Sequence, residues 1–143
     1  MRKGSRVLSI VPVSAGAAHG AVRVWLRLEG IAAFLLATSL YAHHGDSWLM
    51  FAALFFVPDV SIAAYLAGPR VGAAIYNVVH SYVGPLIVAA VAVSPEAGLT
   101  VALVWAAHIG FDRALGYGLK YPTAFGNTHL GRIARGGGQL GPR

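Results

Sequence analysis

Apolar positions in this chain gather into four long runs, and polar residues collect between them. The runs are Val24–Tyr41, Trp48–Ala67, Val71–Val93 and Leu99–Leu119. At 1.5 Å per helical residue, a run of about 20 residues matches a hydrocarbon layer roughly 30 Å thick. The pattern predicts an all-α integral membrane bundle of four transmembrane helices. The links "AHHGDS", "GPR" and "SPEAG" are short, and their Gly and Pro residues end one helix and open the next. Links this short make neighbouring helices antiparallel. Residues 1–23 then form a flexible basic N-terminal arm, 24–119 the transmembrane domain and 120–143 a C-terminal tail.

Charge supplies the orientation. Arg2, Lys3, Arg6, Arg23 and Arg27 precede or open the first run, Arg70 lies in the second link, and Lys120, Arg132, Arg135 and Arg143 follow the fourth. The other two links hold no Lys or Arg, only Asp46, Glu96 and the pair His43/His44. Positive residues stay inside, so both termini are expected in the cytoplasm of a multi-pass protein of the inner membrane. An N-terminal signal peptide cleaved near residue 21 would strand Arg23 and Arg27 outside, so the basic start reads as an arm.

Composition narrows the classes. The chain is 57% hydrophobic and 11% charged over 143 residues, less than half the roughly 25% charge of ordinary soluble domains. A pI near 10.2 is explained by topology-setting cations at the lipid surface, and no nucleic acid partner is expected. The absence of cysteine excludes disulfides, thiolate metal sites and a cysteine nucleophile. Without strands there is no strand-to-helix phosphate loop. The partners expected are the lipid bilayer, a lipophilic substrate and, for so thin a bundle, further copies of itself.

Three of the five acidic residues, Glu29, Asp59 and Asp112, fall inside the apolar runs, with Asn77, His80 and His108. Ionisable groups in a span cost a few kcal/mol each and need a reason to be there. Counted from the span ends, Asp59, His80 and Asp112 all lie about 10–14 Å from the cytoplasmic boundary, and Glu29 about 7–8 Å. His108 and Asp112 are four residues apart and share a helix face, as do Tyr76 and His80; Asn77 is three from His80. Pro58 is expected to kink the second span beside Asp59, and Gly84-Pro85 the third.

Three carboxylates in a thin slab of low dielectric require either a divalent cation or protonation. A His-x-x-x-Asp pair presents an imidazole and a carboxylate side by side, a common metal-ligand arrangement. The same groups also serve as interhelical hydrogen bonds in ordinary membrane packing. Arg113 points about 100° from Asp112 around the helix and is either a charge partner or a cation reaching for the lipid surface. Glu29 can pair with Arg23 or Arg27. His43, His44 and Asp46 read as solvated, and His129 as part of a loop. Tyr41, Trp48, Tyr117 and Tyr121 read as interfacial anchors, and Gly72, Gly110, Gly116 and Gly118 as sites of close helix packing.

The segments "LRLEG", "PDVS…YLAGPRVGAAIYNVVHSYVGP" and "HIGFDRALGYGLKYPTAFGNTHLGRI" resemble the small bacterial membrane proteins grouped as domain of unknown function 4260. The resemblance runs from about Arg23 to Arg135 and implies a four-span bacterial membrane protein without assigning an activity. A fainter likeness is to membrane-bound metal-dependent hydrolases, which carry a Pro-Asp, a His-Ser and a His-x-x-x-Asp in the order of Pro58-Asp59, His80-Ser81 and His108/Asp112. It implies one divalent metal ion on Asp59, His80, His108 and Asp112, with Asp59, His108 and Asp112 catalytic. Glu29, Asn77, Tyr76 and Arg113 would support these ligands. The expected function is metal-dependent hydrolysis of a lipophilic substrate. The alternatives are acid-catalysed isomerisation or cyclisation of an isoprenoid-like substrate without a metal, and a small transporter or assembly subunit.

Overall fold

The structure, a computed structural model, describes residues 16–44 and 47–133. Most of the expected N-terminal arm, Asp46, and the Gly-rich residues 134–143 lie outside the described residues. The fold is mostly helical. Helix α1 spans Gly20–His44, α2 Trp48–Phe55, a 3₁₀ helix Val57–Ala67, α3 Pro69–Val79, α4 Val83–Val91 and α5 Pro95–Leu115. A two-stranded antiparallel hairpin, β1 Asn127–Thr128 and β2 Gly131–Arg132, closes the described chain.

Helix α5 is the axis of the molecule: α1 lies along one side of it, α4 and α2 contact others, and α3 packs on the 3₁₀ helix. The α1–α5 approach is set by two glycines. A Cβ on Gly30 would stand 2.8 Å from the Gly110 carbonyl oxygen, and one on Gly110 would stand 2.6 Å from the Phe34 amide nitrogen. Backbone therefore meets backbone at this crossing. Gly110 was legible as a packing glycine, whereas Gly116 and Gly118 act differently. Gly116 takes φ +96° after α5, so that its N–H reaches the Arg113 carbonyl and the Tyr117 N–H the Asp112 carbonyl, at 3.0 and 2.8 Å. This paired closure needs the left-handed residue that glycine supplies. Gly118 leaves room for the His129 ring.

Two prolines break the middle of the fold. Pro58 has no N–H for the Leu54 carbonyl, and beyond it the chain tightens into 11 residues of 3₁₀ helix, a long run for that conformation. The sequence suggests a kinked α-helix; the structure has a change of helix type. Its period of three puts Asp59, Ile62 and Tyr65 on one stripe and Pro58, Ser61 and Ala64 on another. Pro85 likewise offers nothing to the Ser81 carbonyl, and α3 and α4 part with a 47° bend. The last carbonyls of α3, left open at the break, find side chains: Ser81 Oγ donates to Val78 O at 3.1 Å and Trp105 Nε1 to Val79 O at 2.7 Å.

Among the described residues, Trp48–Ala67 is long and apolar enough to cross a membrane, and the bent α3–α4 pair is a second candidate if it counts as one span. That is fewer than four. Helices α1 and α5 have 25 and 21 residues, but they carry Arg23, Arg27 and Glu29, and Glu96, Asp112 and Arg113. Leu49, Val60, Leu66, Val78, Leu86 and Val91 stand exposed. The core beneath them is Tyr41, Leu103 and Val104 packed with Phe51, Leu54 and Phe55. Tyr41 is thus no interfacial anchor: it is fully buried, and its hydroxyl donates to Ser47 O at 2.7 Å.

Residues 120–133, the described part of the expected tail, fold back on the helices. Leu130 and Thr128 are buried, Lys120 bridges to Thr128, and the Tyr121 N–H donates to Asn127 O at 2.8 Å. The far end of the chain joins them, with Ala18 N donating to His129 O at 2.7 Å and the Tyr121 hydroxyl to Gly16 O at 2.8 Å.

Candidate metal centre

Two breaks in helical structure and one helix face build the site. Asp59 follows Pro58 in the first turn of the 3₁₀ helix. His80 is the residue on which α3 ends, with φ −99° and ψ 22°. His108 and Asp112 project from one face of α5, one turn apart. One donor atom from each of the four lies within 4.8 Å of every other.

The separations are informative. Asp59 Oδ1 stands 3.6 Å from His108 Nε2 and 3.8 Å from His80 Nε2; Asp112 Oδ2 stands 3.9 and 3.7 Å from the same atoms. None of these is a hydrogen bond, which would bring N and O to about 2.9 Å. A tetrahedral ion with bonds of about 2.1 Å needs ligand–ligand edges of about 3.4 Å. The two Nε2 atoms are 3.2 Å apart, close to that edge and also within hydrogen-bond reach of each other.

The imidazole protons fit that reading. His80 Nδ1 faces the Tyr76 carbonyl oxygen at 3.1 Å. A carbonyl only accepts, so Nδ1 carries the proton and the Nε2 lone pair faces the centre. A ligating histidine is commonly held in this way through its other nitrogen. The ring is also stacked on Tyr76, with centroids 3.7 Å apart and planes 9° from parallel. His108 is wedged edge-on against Phe55, and its Nδ1 is buried without a hydrogen-bond partner. Either its Nε2–H bonds His80 while Nδ1 stays bare, or Nε2 is the donor atom toward a cation.

The surrounding residues separate clearly. The Tyr76 hydroxyl donates to Asp112 Oδ2 at 3.1 Å and fixes that carboxylate. Asn77 does not touch the four: its Nδ2 donates to Lys120 O at 2.9 Å and its Oδ1 accepts from Lys120 N at 2.6 Å. Arg113 turns away and lies over the Tyr82 ring, 4.6 Å from its centroid. Glu29 is exposed on α1 and is not one of the cluster. Arg27 caps α5 instead of serving the site, its Nε donating to Ala114 O at 2.8 Å. Exposed cations at a helix C-terminus are favourable there.

One residue was missed. Lys120, read from sequence only as an orientation-setting charge, is buried, with 4% of its surface exposed. Its ammonium lies 3.9 Å from the Phe125 ring centroid and 4.8 Å from that of Tyr76. Burial lowers its pKa to about 8, against the opposing pull of Asp112 and Asp59. His129 is structural: Nδ1 accepts the Leu119 N–H at 2.9 Å. Burial, and then the charge of Arg113, lower its pKa.

One cavity meets these residues, and a second is lined by their neighbours in sequence. One, of about 310 Å³, is lined by Asp59, Tyr76, Asp112, Tyr117, Lys120 and Phe125, among others. The other, of about 560 Å³, is an apolar groove whose walls include Pro58, Val79 and Trp105, next in sequence to Asp59 and His80 and one turn before His108. No curated protein and no solved structure matches the chain. A family model does match, over residues 23–133, and the chain therefore belongs to the family described as Domain of unknown function (DUF4260).

Proposed function

We propose that the chain is a membrane-embedded hydrolase in which Asp59, His80, His108 and Asp112 hold one divalent ion. The observation that carries this reading is the convergence of four donor atoms, with every histidine–carboxylate separation too long for a hydrogen bond and suited to sharing one cation. Two neutral imidazoles and two carboxylates are a donor set that suits zinc and similar ions. Bound there, such an ion would lower the pKa of a water and polarise the bond to be split. Asp59 is the more open carboxylate, 41% exposed against 16% for Asp112, and it faces the smaller cavity. As the most open of the four donors it is the one that would give up its place to water, and once freed it would take a proton from that water and return it to the leaving oxygen. Tyr76 keeps Asp112 in place.

The apolar groove beside Pro58, Val79 and Trp105 supports a lipophilic substrate, since its walls offer chain-like contact and almost no polar partner. The exposed Leu, Val and Ile side chains support a lipid surrounding. With the charge distribution of the links, they favour a four-crossing topology in a bacterial inner membrane with both termini in the cytoplasm.

Metal analysis of the protein purified in detergent, with Asp112→Ala and His108→Ala as controls, tests this. About one divalent ion per chain is expected in the wild type, with markedly less in each variant. A folded wild type that takes up no added zinc, manganese or cobalt would overturn the metal reading and leave carboxylic-acid catalysis as its successor.

A further inference from the structure

From the placement of Lys120 we infer that the smaller cavity binds an anionic phosphate group, held between Lys120 and the four-donor centre. The inference rests on the metal reading for one half of that clamp. Its other half is independent, and it begins with the cost of burying an ammonium group, which is high unless an anion compensates it.

The fold spends several interactions on putting Lys120 there. Both of its backbone groups are taken by the Asn77 side chain, and the residue bridges to the buried Thr128. The flanking Leu119 is fastened by His129, whose backbone N–H also donates to Leu119 O at 3.0 Å. The side chain then runs inward between Tyr76 and Phe125 into a cavity that Asp59 and Asp112 also line. A cation needed only for orientation at the membrane surface would be left in solvent.

The charges decide what the cavity accepts. Asp59 and Asp112 contribute two negative charges; a divalent ion cancels them, and Lys120 remains as one surplus positive charge inside the cavity. An anion with several oxygens can reach both the cation and the lysine, and a tetrahedral phosphate does so from one face. Of the remaining walls, Ile62, Phe125 and Ile133 are apolar, and Tyr76 and Tyr117 add rings that carry a hydroxyl. If Lys120 served only to offset the two carboxylates, removing it would leave the site more negative and strengthen metal binding, and phosphate would be irrelevant to it.

The probes are orthophosphate, and phosphatidic acid in phosphatidylcholine vesicles or mixed micelles. The readout is protection of Lys120 from an amine-acylating reagent, scored by peptide mass spectrometry on the wild type with and without zinc. Phosphate is expected to protect Lys120. Lys120→Met should bind orthophosphate at least about tenfold more weakly, as expected for one charge-assisted contact, while taking up zinc as the wild type does. Lys120→Arg should recover part of that loss. Protection at lower concentrations by phosphatidic acid than by orthophosphate identifies a lipid headgroup; equal protection identifies a soluble phosphate. Either outcome supports the inference. Failure of both probes to protect Lys120, or unchanged phosphate binding in Lys120→Met, overturns it. A wild type that takes up zinc but whose Lys120 stays unprotected overturns this inference alone; a wild type that binds no zinc overturns the metal reading, and with it the half of the clamp that the ion supplies. The protection assay needs no variant, so a misfolded Lys120→Met does not block it.

Discussion

The carboxamide of Asn77 and the backbone of Lys120 exchange two hydrogen bonds, 2.9 Å outward and 2.6 Å in return, across 43 residues of chain. This pair ties the end of α3, where His80 follows, to the segment that leaves α5 after Asp112. Asn77→Ala removes both bonds and leaves a part-buried N–H and C=O without partners. A loss of about 1–3 kcal/mol is expected, read as a fall in unfolding midpoint in detergent. A midpoint unchanged within error would show that the pair contributes nothing to the fold.

Asp112 distinguishes a metal centre from a packing network by the sign of its effect. In the metal-free protein Asp59 and Asp112 share a site as like charges, so Asp112→Asn relieves repulsion while still accepting from Tyr76. Its stability should equal or exceed that of the metal-free wild type. With zinc added, the order should reverse, because only the protein that binds tightly gains the linkage free energy, about 2.7 kcal/mol at a hundred times Kd. Thermal scans with EDTA and with excess zinc check this, and a wild-type midpoint indifferent to zinc contradicts it.

Much of this site could be read from residue order. Span ends are set by where apolar residues stop, and helix rise converts position into depth, so residue order alone puts Asp59, His80 and Asp112 at one level. His108 followed from its spacing to Asp112. The exact path was not legible: past Pro58 the rise is about 2.0 Å per residue instead of 1.5, which shifts Asp59 by roughly 4 Å relative to a continuous α-helix. Lys120 was hidden for another reason. Its burial depends on hairpin residues such as Thr128 and Leu130, reached through turns whose Gly, Pro and Asn residues resemble any loop. Glu29 misled because depth alone does not fix the direction in which a side chain points.

Gly30 and Gly110 set how closely α1 approaches α5, and each would place a Cβ within 2.9 Å of the other's carbonyl oxygen. Backbone atoms cannot swing aside as side chains do, so Gly30→Ala and Gly110→Ala should each cost about 1–3 kcal/mol or more through forced separation of the helices. Gly126→Ala is the matched control, since nothing lies within 4 Å of its added carbon; its effect should stay within about 0.5 kcal/mol. Comparable losses at all three positions would discount the close crossing.

His129 gives the fold a pH dependence of known sign. Its folded pKa lies below the ordinary value of 6.5, so between the two the unfolded chain binds more protons than the folded one. Stability is then fully present above about 6.5 and falls as pH drops through the folded pKa. Protonating Nδ1 also breaks the bond from the Leu119 N–H. Unfolding midpoints from pH 8 to 5 should decline in the wild type and decline less steeply in His129→Asn; identical slopes would assign the acid sensitivity elsewhere. Lys120, held at about 8 against 10.5, predicts the complementary trend: stability rises with pH between those values, because there the unfolded chain again holds the extra proton.

The absence of cysteine from the sequence makes topology directly measurable, because any introduced thiol is the only one. Ser47 and Ser94 flank the two links that lack Lys and Arg, while Thr123 follows Lys120. In a four-crossing arrangement with both termini inside, Ser47→Cys and Ser94→Cys react with a membrane-impermeant maleimide in intact cells. Thr123→Cys reacts only after the cells are opened. The positive-inside distribution and the apolar runs require this split. Labelling of all three from the outside, or of none in membranes after lysis, would reject the four-crossing topology while leaving the His/Asp cluster to be tested by metal uptake.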